Sequence, residues 1–202
     1  QDKAVCHAAN QRAVEARYPN IAFQNNAGSG NTLINGISLQ GGAVAQNLTW
    51  FKNEIPYVVS SSVQISAGNT LTVQPGVTVQ MQENTLFTVA GALNAQGTAA
   101  DQITFTSFAA SPCPGCWKSL AFVSPSTNSI LKYVVVENSG SITGNGNISL
   151  DSASVEIENV TSRHAKEAAL YAQNSSSSIK NSSFSDSAFG MKLLGAAYPQ
   201  LL

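Results

Sequence analysis

Three short segments of this 202-residue chain can be laid over one another: Leu131-Lys132-Tyr133-Val134, Ile157-Glu158-Asn159-Val160 and Ile179-Lys180-Asn181-Ser182. The first two are 26 positions apart and the last two 22. The spacing of 22 also links Ile148 to Leu170, and a spacing of 21 links Leu170 to Met191. A unit this short holds two or three strands and cannot enclose a core alone. It buries its inward face by stacking on the next unit, so the chain is expected to be a solenoid.

The first half fits the same reading. From residue 57 onward apolar residues alternate with polar ones: Val63 and Ile65, Leu71 and Val73, Val77, Val79 and Met81, then Ile103 and Phe105. Turn signals such as Gly68-Asn69, Pro75-Gly76 and Gln96-Gly97 bound these blocks. The composition agrees. The chain has 26 Ser, 18 Asn, 13 Thr and 15 Gly, and only 10% charged residues, against roughly 25% in an average soluble protein. Repeated turning needs small polar residues, and an inward face has no room for long charged ones. A net charge of −1 excludes a nucleic-acid protein working through a basic field. No run of 18 apolar residues is present, so no membrane-spanning helix is expected, and no signal-peptide pattern is seen.

The stretch Asn147-Ile148-Ser149-Leu150-Asp151 through Val155-Glu156-Ile157-Glu158-Asn159-Val160, with its echo at Ile179-Lys180-Asn181, resembles the repeat of the right-handed parallel β-helix found in the pectate-lyase-like superfamily. Asn69-Thr70-Leu71-Thr72-Val73-Gln74-Pro75-Gly76-Val77 and Asp101-Gln102-Ile103-Thr104-Phe105 are similar to the bacterial surface-protein version of that fold. The resemblance covers about residues 47–194. It implies an all-β solenoid in one domain, 1–202, with coils over 47–202. Such a fold hosts lyases, hydrolases, adhesins and structural spikes alike, so it does not name an activity.

A capping helix is expected within residues 1–20. Val5, Ala9 and Ala13 repeat at i, i+4 across Lys3–Arg17, Asp2 suits the N-cap, and Pro19 ends the run. Residues 20–47 are rich in Asn and Gly, with apolar islands at Ile21-Ala22-Phe23 and Leu33-Ile34, and read as loops and one or two short strands. At the other end Met191 and Leu193 continue the inward alternation, and a further strand is expected near Leu201. An open solenoid end templates pairing, so the sequence is expected to be a fragment of a longer protein or to associate end to end.

Stacking the repeats predicts two outward columns of alternating charge: Lys132, Glu158 and Lys180, and Glu137, Arg163 and, one residue off, Asp186. Asn159 and Asn181 also fall in register, as an amide ladder or as left-handed turn residues. On a strand with Val155 and Ile157 inward, Glu156 and Glu158 share the outer face roughly 7 Å apart. That pair suits general acid–base work with Arg163 as a neighbouring cation. With Asp151 it makes half of a Ca2+ site. The superfamily's lyases use clustered carboxylates, Ca2+ and a basic residue, but the alternation of sign here favours a structural ladder. No other cofactor is implied.

Trp50, Trp117, Tyr133 and Tyr171, together with Tyr57, are the candidates for stacking on a sugar. For the two tryptophans, packing near a coil corner is the competing role. Cys113-Pro114-Gly115-Cys116 is read as a local disulfide or a pair of inert thiols, with redox and zinc pairs as alternatives, and Cys6 is left over. Thr70/Thr72 and Thr104/Thr106 hint at ice-binding rows without recurring on every coil. Five Asn-x-Ser/Thr sequons start at Asn47, Asn147, Asn159, Asn174 and Asn181. The function expected is a non-enzymatic, secreted or cell-surface module for adhesion or interaction that recognises polysaccharide along an exposed face. The alternatives are a polysaccharide lyase or glycoside hydrolase, and a purely structural stalk.

Overall fold

The computed structural model describes residues 23–141, 145–197 and 200–201. It is a parallel β-solenoid of seven coils, each contributing three short strands. The first coil holds β1 (Ile37–Leu39), β2 (Gly42–Val44) and β3 (Leu48–Trp50), and the second holds β4 (Tyr57–Val59), β5 (Val63–Ile65) and β6 (Thr70–Val73). The third has β7 (Thr78–Met81), β8 (Leu86–Val89) and β9 (Ala92–Gln96), and the fourth has β10 (Ile103–Ser107), β11 (Ser119–Val123) and β12 (Ser129–Lys132). Next come β13 (Val134–Glu137), β14 (Gly146–Asp151) and β15 (Val155–Glu158), then β16 (Thr161–Arg163), β17 (Ala168–Gln173) and β18 (Ser178–Lys180). The last coil has β19 (Ser183–Ser185), β20 (Phe189–Leu194) and β21 (Gln200–Leu201). First, second and third strands of every coil stack into three seven-stranded parallel sheets, here called A, B and C.

The register follows the sequence repeat. Leu131 pairs with Ile157 and Ile157 with Ile179, while Ile148 pairs with Leu170 and Leu170 with Met191. The strand expected near Leu201 is β21, whose Leu201 pairs with Ile179. The stacking reaches back to Ile37, which pairs with Tyr57. Among the described residues the two short strands before residue 47 are Ile37–Leu39 and Gly42–Val44, and Leu33 is 88% exposed. The helix expected over Lys3–Arg17 lies outside the described residues.

Inward side chains form continuous apolar columns, such as Val44, Ile65, Val89, Phe122, Leu150 and Ala172 in sheet B, all buried. Aromatic contacts brace the wider coils: Trp50 stacks on Tyr57 at 5.0 Å, and Phe87 meets Trp50 and Phe105 edge-on at 5.9 and 5.8 Å.

Corners explain the polar composition. Three columns of residues hold left-handed backbone: Tyr133, Asn159 and Asn181 between sheets C and A; Asn138, His164 and Asp186 between A and B; Ser152, Asn174 and Gly195 between B and C. Asn, Asp and Gly reach this region at least cost. The Asn159–Asn181 column is therefore a turn column, and Asn159 Nδ2 donates to Glu158 Oε1 at 3.4 Å. Serine and asparagine oxygens also accept N–H groups of adjacent coils that the ladders leave over. Ser62 Oγ accepts from Leu86 N–H, Ser129 Oγ from Leu93, Ser177 Oγ from Val155, Ser182 Oγ from Val160, and Ser187 Oγ from Ala165, at 2.9–3.1 Å. Each such bond spares a partly buried donor the cost of being unpaired.

Candidate functional site

Seven parallel strands give each sheet a rigid outer face with side chains about 4.8 Å apart along the axis. Sheet C carries the most chemically varied of these faces. One outward column runs Thr49, Thr72, Asn94, Ile130, Glu156 and Ser178, and beside it runs Gln96, Lys132, Glu158 and Lys180. Gln96 Nε2 donates to Asn94 Oδ1 at 2.8 Å. Lys132 Nζ lies 2.9 Å from Glu158 Oε2. That hydrogen bond, with the lysine charge behind it and Lys180 on the other side, holds the Glu158 carboxyl below its ordinary pKa. The same bond and the Glu158 charge raise the Lys132 ammonium, and Tyr133 and Glu156 are near enough to add to the effect.

Tyr133 ends this face at the corner toward sheet A. Its φ is 48°, in register with Asn159 at 53° and Asn181 at 50°. An asparagine in this conformation bonds locally, whereas a bulky aromatic has no such compensation. Tyr133 as a residue is half-buried and lies near Lys132.

The residues named from sequence as acid–base or Ca2+ candidates are dispersed over three sheets. Glu156 and Glu158 do share the outer face of sheet C, but Asp151 ends β14 in sheet B and Arg163 ends β16 in sheet A. Arg163 Nε donates to Glu137 Oε2 at 2.8 Å, and Thr106 donates to the other oxygen at 3.0 Å. Arg163 thus serves Glu137, not the Glu156/Glu158 pair. Among the described residues no three His, Cys, Asp or Glu side chains converge to hold a metal.

Three of the five stacking candidates are packed inside, Tyr57 among them at 2% exposure. Trp50 is 4% exposed and Trp117 is wholly buried, with Trp117 Nε1 donating to Glu137 O at 2.9 Å. Neither offers a ring face to a ligand, because both fill the core that the coils enclose. Tyr171 faces out from sheet B but is 8% exposed, its hydroxyl donating to Gln173 Oε1 at 3.4 Å. Tyr133 is the remaining candidate. Thr70 and Thr72 lie on sheet C while Thr104 and Thr106 lie on sheet A, so the two pairs form no common row. The Asn147 sequon is closed: this side chain is fully buried, donating to Val136 O, Ser162 Oγ and Arg163 O and accepting from Ser139.

Sequence reasoning missed Asn94 and Gln96 as neighbours of the charged column. Their coil is followed by long excursions, and Ala95 pairs with Leu131, far outside the 22–26 spacing. The polar alternation within Ala92–Gln96 was the available signal. Cys113 and Cys116 form a disulfide. Among the described residues no helix is long and apolar enough to cross a membrane. The chain matches no protein-family model, no curated protein and no solved structure.

Proposed function

We propose that this chain is a non-enzymatic adhesion or interaction module that recognises polysaccharide along the outer face of sheet C. The observation that carries this reading is Tyr133. At this corner the next two coils place Asn159 and Asn181, which suit the left-handed backbone. The coil bordering the amides and the charged column instead holds an aromatic ring there, at a conformational cost of about 1–3 kcal/mol. A strained aromatic at the end of the face that carries Lys132, Glu158, Gln96 and Asn94 has the makeup of a sugar subsite: a ring to stack on and amides and charges to bond hydroxyls.

The same reading takes the solenoid as right-handed and pectate-lyase-like, of the bacterial surface-protein type, secreted or displayed on a cell, with residues 1–20 as a helical cap. Right-handed crossovers between parallel strands are the rule. It includes end-to-end association at the last coil, where Phe189, Met191, Leu193 and Leu194 are 37–49% exposed. A glycan array run with and without Ca2+, alongside an assay for unsaturated-sugar release, tests the proposal. Calcium-independent glycan binding without product release supports it. Cleavage that requires Glu156 or Glu158 replaces it with a lyase or hydrolase.

A further inference from the structure

The Cys113–Cys116 disulfide sits where a cross-link does little for folding. The two residues are three positions apart, and closing so short a loop removes little entropy from the unfolded chain. The ladders on either side, β10 with β13 and β11 with β8 and β14, hold the coils without it.

The two sulfurs are unequally placed. Cys116 is 8% exposed and leads into the buried Trp117, while Cys113 and residues 109–114 around it are exposed. Cys116 N–H donates to Asn138 O at 3.0 Å, and Gly115 N–H donates to Ser139 O at 3.0 Å. The rear of the small ring is therefore fixed to the neighbouring coil and its front is in water. Cys113 N–H points at Cys116 Sγ, 3.0 Å away. Lys166 packs so closely on Gly115 that a Cβ there would stand 2.8 Å from Lys166 Cδ. A donor N–H aimed at Cys116 Sγ favours the thiolate that forms there when the bond opens.

We propose that Cys113–Cys116 is a thiol–disulfide exchange site for small thiols, with Cys113 the sulfur attacked and Cys116 the leaving group. An external thiolate attacks Cys113 Sγ. The Cys113–Cys116 bond breaks, its electron pair leaves on Cys116 Sγ, and a mixed disulfide remains on Cys113. A second external thiolate then attacks the external sulfur, releasing Cys113 as a thiolate and the two thiols as their own disulfide. Two electrons pass from two thiols to the pair. In the reverse direction Cys116 attacks the mixed disulfide at Cys113 and closes the ring.

The test uses the full chain carrying Cys6→Ser, so that only this pair exchanges, with glutathione as the probe. Glutathione buffer should reduce the pair while circular dichroism and the melting temperature stay unchanged. With Cys116→Ser added, oxidised glutathione should label Cys113 rapidly. With Cys113→Ser instead, labelling of Cys116 should be at least about tenfold slower. A pair that resists glutathione until the protein is denatured, a fold lost on reduction, or equal labelling of the two cysteines would each overturn the proposal.

Discussion

Tyr133 and Asn159 occupy the same corner of successive coils, with φ of 48° and 53°, and Tyr133 N–H donates to Glu158 O at 3.1 Å across that corner. One position, one backbone conformation and one hydrogen-bonding frame thus carry a ring on one coil and an amide on the next. Side-chain chemistry, not backbone geometry, distinguishes the fourth coil from those after it.

The charged column should be visible in the pH dependence of stability. The Glu158 carboxyl is held below its ordinary 4.5, so its contribution is present above that pH and is lost as pH falls through the depressed value. The Lys132 ammonium is held above its ordinary 10.5, so its contribution is present below that pH and is lost as pH rises further. Melting temperatures of wild type and Glu158→Gln should differ slightly from about pH 4.5 to 10.5 and converge in stronger acid. A gap that persists in stronger acid would show that the pair is not its source.

Tyr57 should govern the alkaline limb. Burial pushes its phenol to about 12, so the folded state holds a proton that the unfolded chain has released above pH 10. Stability should fall there by roughly 1.4 kcal/mol per pH unit. Its hydroxyl accepts from Phe51 N–H and donates to Phe51 O at 3.1 and 3.0 Å. Tyr57→Phe should therefore cost about 1–3 kcal/mol at neutral pH and flatten the loss above pH 10, read by denaturant titration.

The corner serines should matter through the N–H groups they accept. Ser177 Oγ takes the Val155 N–H at 3.0 Å and is buried. Ser177→Ala should cost about 1–3 kcal/mol, while Ala at the exposed Ser176 should stay within about 0.5 kcal/mol of wild type. Equal effects at the two positions would remove the capping role.

Gly91 marks a point of close coil approach. A Cβ there would stand 2.3 Å from both Asn69 O and Ser66 O, backbone atoms that cannot step aside. Gly91→Ala should destabilise by about 1–3 kcal/mol or more, measured by chemical denaturation.

Much of the register was legible in the sequence because the later coils keep nearly constant length. Ile157 aligns with both Leu131 and Ile179, and the sign-alternating column Lys132, Glu158 and Lys180 followed directly. The earlier coils hid theirs. The excursions after Ser107 and Val123 break the spacing, so Asn94 and Gln96 could not be set beside Lys132. Burial at corners was equally opaque. Trp117 and Asn147 sit among turn signals that suggest exposure, yet both are fully buried, because the segments at Cys116 and Ser139 bond to their neighbours and close over them. Sheet assignment separated Arg163 from Glu158: only five residues apart in sequence, they lie on either side of a corner.

The most direct test of the account is Tyr133→Asn, with stability and glycan binding measured on the same protein. Asparagine suits the left-handed corner, so the variant should be more stable by about 1 kcal/mol. It should also lose binding to whichever glycan the wild type selects, while Gln64→Ala on the outer face of sheet B leaves that binding unchanged. A Tyr133→Asn protein that binds the glycan as well as wild type would contradict the claim that the face of sheet C is the recognition surface.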